Sequence, residues 1–172
     1  VSLIGGYLGL TMFNVRSKEI VDAFNTRFSR AGARGASSGT RKLIIDTSSL
    51  IDGRIVDVAE TGFLGGVLIV PRFVLNELHN VADSSDTIRR QRGRRGLNML
   101  NKLQRSEDIP VRIVEEDFEE ITEVDNKLVA LSLSMGAVLI TNDYNLGEVA
   151  EAQGVQVLNV NVLSNAVRSI YI

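Results

Sequence analysis

From residue 41 onward, short apolar runs alternate with stretches of helical periodicity. The runs Lys42–Ile45, Val67–Val70, Val111–Val114, Ala137–Ile140 and Gln156–Leu158 are continuous and rich in β-branched residues. That is the pattern of strands buried on both faces. Between them, apolar positions recur at three- and four-residue spacing over roughly 47–62, 72–82, 86–106, 117–135, 145–153 and 161–168, which predicts helices. Strands alternating with helices in this way predict an α/β fold, a parallel sheet with helices on both faces and right-handed crossovers.

The first 40 residues break the pattern. Residues 1–15 carry no charge, but a membrane-spanning helix needs about 20 apolar residues. The segment lacks the basic start of a signal peptide. It reads as the cytoplasmic end of a truncated transmembrane helix, or as a short apolar helix packed on the domain. Residues 16–42 then carry Arg16, Lys18, Arg27, Arg30, Arg34, Arg41 and Lys42 against Glu19 and Asp22, which fits the positive-inside pattern. Gly, Ala and Ser dominate 30–40, so 16–40 reads as a basic segment and flexible linker, and 41–172 as the globular domain.

Composition narrows the chemistry. The 172 residues include no cysteine and one histidine, His79, so thiolate sites and multi-histidine zinc sites are excluded. A metal would have to be held by carboxylates, and oxygen ligands select hard cations such as Mg²⁺ or Mn²⁺. The net charge of −2 hides a local concentration of arginine at Arg89, Arg90, Arg92, Arg94 and Arg95. These residues form either a phosphate-binding ridge or a solvated helix face. Aromatic residues are only 5% of the chain, so base stacking is not the obvious way to recognise a nucleic acid.

In an open parallel sheet, ligands bind beyond the C-terminal strand ends. Asp46 directly follows Leu43–Ile45, and Asp143 follows Val138–Ile140 through Thr141 and Asn142. Glu77 shares a helical face with Val74 and Val81, and Asp125 shares one with Phe118, Ile121, Leu128 and Ser132. A carboxylate on an apolar stripe is costly unless something compensates it. Four acids meeting at one edge would repel one another, and a divalent cation removes that penalty. One or two such ions could activate water and stabilise a leaving oxygen in phosphodiester cleavage. The competing reading gives each acid its own cap or ion pair. Asp52, in a turn-like Asp-Gly-Arg triplet, reads as an acid supporting these ligands or as a local turn former. With water activated by a metal, His79 is not needed as a general base.

These residues lie in the motifs LIIDTSSLIDGRI (43–55), VPRFVLNELHNVAD (70–83), RQRGRRGLNMLNKLQ (90–104), VDNKLVALSLSMGAVLITNDYNL (124–146) and GVQVLNVNVLSNAV (154–167). Together they resemble the PIN-domain nucleases, in particular the bacterial YacL-type membrane-anchored PIN/TRAM proteins. The resemblance covers about 130 residues. It implies a five-stranded parallel sheet, with Asp46, Glu77, Asp125 and Asp143 as catalytic metal ligands. It places Ser48, Thr141 and Asn142 in supporting positions. It also implies Mg²⁺ or Mn²⁺, endonucleolytic cleavage of single-stranded RNA, homo-oligomers, and a cytoplasmic domain at the inner face of the bacterial membrane. This chain stops at Ile172, where those proteins continue into a TRAM domain. The alternative function is a membrane-tethered RNA- or nucleotide-binding regulator on the same scaffold. A phosphoaspartate receiver and a haloacid-type phosphatase are set aside, because the acids flanking Asp46 that each would need are missing, and no standard Gly-rich phosphate loop is present.

Overall fold

The five apolar runs become five parallel strands in the computed structural model, which describes residues 40–167. The expectations for segments 1–15 and 16–40 lie outside the described residues, which begin at Thr40. The strands are β1 (Lys42–Ile45), β2 (Val67–Pro71), β3 (Val111–Val114), β4 (Val138–Ile140) and β5 (Val157–Leu158). Helices fill the connections: α1 (Thr47–Asp52), α2 (Arg54–Glu60), α3 (Arg72–Ala82), α4 (Thr87–Arg105), α5 (Val124–Met135), α6 (Tyr144–Ala152) and α7 (Val160–Ala166). The sheet order is β3-β2-β1-β4-β5, with every pair parallel.

Burial explains the order. The apolar residues of β1, Leu43, Ile44 and Ile45, are fully enclosed, and β2 and β4 on either side of it are buried along their whole length. Fully burying a side chain of this size contributes about 1.5–3 kcal/mol. The edge strand β3 keeps Arg112 and Ile113 exposed, and β5 has only two residues. Chain order reverses between β1 and β4, which are paired as Ile44↔Leu139 and Ile45↔Ile140. That is the topological switch point, where the loops leaving adjacent strands diverge and open a crevice.

Two predicted helices differ from expectation. The stretch 47–62 divides at Gly53, whose φ of 87° both ends α1 and precedes α2. Only glycine adopts such a left-handed backbone without strain. The helix expected over 117–135 begins only at Val124. The preceding residues include Glu115, Glu116, Asp117, Glu119, Glu120 and Glu123, whose mutual repulsion opposes continuous helix. Asp117 turns its carboxylate onto its neighbour, the Phe118 N–H, a local bond that competes with helix. Asp125 is therefore in the first turn of α5 rather than two turns in, and Phe118 and Ile121 precede the helix.

Candidate active site at the switch point

Asp46 leaves the end of β1 and caps α1, and its own N–H donates to the Ile140 carbonyl of β4 at 3.0 Å. The residue is 4% exposed, so its carboxylate must find partners within the protein. Thr141 Oγ1 donates to Asp46 Oδ2 at 2.9 Å, and Ser48 Oγ and the Ser48 N–H reach the same oxygen. Each hydroxyl also accepts from the loop after β4: Thr141 Oγ1 from the Asp143 N–H and Ser48 Oγ from the Asn142 N–H, both at 3.0 Å. Two hydroxyls thus pin one carboxylate oxygen and both strand-end loops at once.

The remaining acids come from three other elements. Glu77 is on α3, half-buried, and accepts from Thr47 Oγ1 at 2.9 Å. Asp125 is in the first turn of α5. Asp143 caps α6 by accepting the Leu146 N–H at 3.1 Å. Burial, then the charges of Asp46 and Asp125, raise the Glu77 pKa, while the Thr47 hydrogen bond works against them. Burial of the carboxyl group, then the charges of Asp46, Asp143 and Glu123, raise that of Asp125, although the residue as a whole keeps solvent contact. Each acid therefore sits in the field of at least one of the others. Glu77 and Asp125 thus both feel the charge of Asp46, and Asp125 also that of Asp143.

Among the described residues no group of three or more acidic or histidine side chains is placed to hold a metal ion. Asp46 and Asp143 are instead engaged by protein donors. The donor chemistry nonetheless fits a hard divalent cation: all carboxylate oxygen, excess negative charge, and among the described residues no lysine or arginine within ion-pair distance of the four. Two polar groups near this edge, Ser49 Oγ and Asn142 Nδ2, are buried without a partner. Asn142 uses its Oδ1 to accept the Val160 N–H, which fixes how its amide lies.

Other predicted residues are placed differently. Asp52 forms a two-pronged ion pair with Arg54, which also reaches Ser164 and Asn161 on α7. His79 is exposed. Arg95 donates to the Asp52 carbonyl at 2.7 Å and Arg90 to the Ser84 carbonyl at 3.2 Å, while Arg89, Arg92 and Arg94 are exposed on α4. Thr47 was not among the residues predicted for the site. Its hydroxyl lies between Asp46 Oδ1 and Glu77 Oε2, and only its position next to Asp46 hinted at it. Glu123, in the acidic stretch before α5, lends its charge to Asp125.

The sequence profile of the PIN domain matches residues 43–161, so the chain belongs to the PIN domain family. This is a nuclease-type fold whose members generally use divalent metal ions. The chain is 46% identical over 171 residues to the PIN and TRAM-domain containing protein YacL of Bacillus subtilis, covering 96% of this chain and 47% of that protein. A PIN and TRAM-domain containing protein of Synechocystis is 41% identical over 175 residues, covering 99% and 48%. Neither name states an activity, and the chain spans about half the length of both relatives. Among solved structures, a domain of a protein from Methanocaldococcus jannaschii matches with a TM-score of 0.59 at 24% identity, covering 77% of this chain and 94% of that one. That likeness bears on the fold alone.

Proposed function

We propose that residues 41–172 form a divalent-metal-dependent endoribonuclease that hydrolyses phosphodiester bonds of single-stranded RNA at the switch-point crevice. Asp46, Glu77, Asp125 and Asp143 would hold Mg²⁺ or Mn²⁺. One observation supports the reading: the Thr47 hydroxyl reaches carboxylate oxygens of both Asp46 and Glu77, and among the described residues no lysine or arginine lies within ion-pair distance of the four acids. Bound there, the metal would neutralise charge and activate the attacking water, giving a 5′ phosphate and a 3′ hydroxyl.

The chain's own residues do the positioning. Ser48 and Thr141 fix Asp46, Asp143 is oriented by the N-terminus of α6, and Thr47 faces Glu77. Helix α4 packs on α1, the helix that opens at Asp46, through Arg95 on the Asp52 carbonyl and through Gly96 against Ile51. Exposed Arg89, Arg92 and Arg94 on the same helix suit RNA phosphates. The reading extends to location. The uncharged residues 1–15 and the basic segment after them support a domain held at the inner face of the bacterial membrane. Among the described residues, no helix is long and apolar enough to cross a membrane.

The test is cleavage of single-stranded RNA with Mn²⁺ by the wild type, Asp46→Asn and Asp143→Asn. Each variant should lose on the order of 100-fold in rate, the scale of losing one fixed charge-stabilising group. Undiminished cleavage by both would overturn the assignment. Saturable RNA binding without turnover under any divalent metal would replace the enzyme by a binding regulator.

A further inference from the structure

We propose that Thr47 is a positioning residue for the metal: its hydroxyl holds Asp46 Oδ1 and Glu77 Oε2 toward one point, so that both can close on a divalent cation. The inference rests on the metal-dependent reading above and deepens it.

Thr47 Oγ1 lies 3.1 Å from Asp46 Oδ1 and 2.9 Å from Glu77 Oε2. A hydroxyl has one proton and donates to one acceptor at a time. Carboxylate oxygens of both residues are within reach of that proton, although they lie on elements that follow different strands. The two oxygens of Asp46 are then divided in their work. Oδ2 is tied by Ser48 and Thr141, whereas Oδ1 has only Thr47 among the described residues. Glu77 likewise has only Thr47 as a hydrogen-bond partner among them. Among the described residues, Thr47 is thus the one hydrogen-bonding group that orients the Glu77 side chain. Without it, a half-buried flexible carboxylate must lose its rotamer freedom when the cation binds. Partners that orient ligands typically change metal affinity about 10–100-fold.

The measurement is Mn²⁺ affinity by calorimetry for the wild type, Thr47→Val and Thr47→Ser. Valine keeps the branched shape at the start of α1 and removes the hydroxyl, and serine restores it. Thr47→Val should bind Mn²⁺ about 10–100-fold more weakly, with Thr47→Ser close to the wild type. A double-mutant cycle of Thr47→Val with Glu77→Gln, read by urea unfolding without metal, should show coupling between the positions. Thr47→Ala replaces the valine variant if that protein does not fold. Wild-type binding with equal binding by the hydroxyl-free variant overturns the inference and leaves the metal reading standing. Equal weakening by valine and serine overturns it too, as does strict additivity in the cycle. A wild type that binds no Mn²⁺ overturns both readings together.

Discussion

Asp52, Glu60, Glu115 and Asp117 face Arg54, Lys102, Arg72 and Lys127 respectively, so each negative charge has an adjacent positive one. Arg54 holds Asp52, Arg72 holds Glu115 and Lys127 holds Asp117 below the ordinary carboxylate range. Such groups favour folding above their unfolded pKa and lose that contribution as pH falls through the lowered value. Glu77 and Asp125 are the reverse case. Their raised values mean the folded protein binds protons more readily than the unfolded chain. Their contribution to stability therefore falls as pH rises from the ordinary carboxylate range through the raised values, and the whole penalty is present above them. Two results should follow. Without metal, Glu77→Gln should be more stable than the wild type at pH 7, and the difference should shrink on acidification. Mn²⁺ at about 100 times its Kd should stabilise the wild type by about 2.7 kcal/mol at pH 7, and less as the carboxylates protonate. Thermal unfolding of both proteins from pH 4 to 7, with and without Mn²⁺, measures this. A wild type that gains nothing from the ion, or Glu77→Gln that is the less stable protein without it, would contradict the charge account.

The elements carrying these residues were mostly legible in the sequence. Uninterrupted apolar runs such as Leu43–Ile45 and Val138–Ile140 have few alternatives to a buried strand, and their ends placed Asp46 and Asp143 directly. What stayed hidden depends on contacts distant in sequence or on local competition. The break at Gly53 showed only as the turn-like Asp-Gly-Arg triplet, because Ile51, Ile55 and Val56 keep apolar spacing across it. The start of α5 was masked by Phe118 and Ile121, which stay in phase with Asp125 without being helical. The Thr47–Glu77 contact spans 30 positions and has no local trace. Gly93 was visible only as a gap in an arginine run, yet its backbone lies against α3. A Cβ there would stand 2.3 Å from Ala82 N and 2.6 Å from Ala82 Cα. Gly93→Ala should cost about 1–3 kcal/mol by forcing the helices apart, despite the better helix propensity of alanine. Gly147→Ala in α6, whose nearest atom would be Val157 Cγ1 at 3.8 Å, should instead gain about 0.5–1 kcal/mol. Urea unfolding of the two variants should move in opposite directions.

At the scale of the whole molecule, the acidic balance of the chain and the nucleic acid it is proposed to cut have charges of the same sign, so affinity must come from a local positive surface. Helix α4 offers one because its two sides do different work. Gly93, Gly96, Leu100 and Leu103 face inward, and Arg89, Arg92 and Arg94 face solvent. The tight glycine contacts bring the helix axis close to α3 and α1. Arg95 and Arg90 spend donors on the Asp52 and Ser84 carbonyls, and they serve the fold as much as any ligand. Arg89, Arg92 and Arg94 should thus dominate the electrostatic part of RNA binding. Each phosphate contact on a single strand contributes about −0.7 to the slope of log K against log salt. Replacing all three with alanine should weaken single-stranded RNA binding strongly at low salt and make the slope shallower by up to about 2. The same substitutions should leave Mn²⁺ affinity at the carboxylates near the wild-type value, because α4 supplies no ligand to that cluster. Fluorescence anisotropy with a short oligoribonucleotide across a salt series, in Ca²⁺ to suppress turnover, measures the slope. A slope unchanged by the triple substitution would move the RNA path away from α4 and leave the carboxylate cluster to be approached from another side.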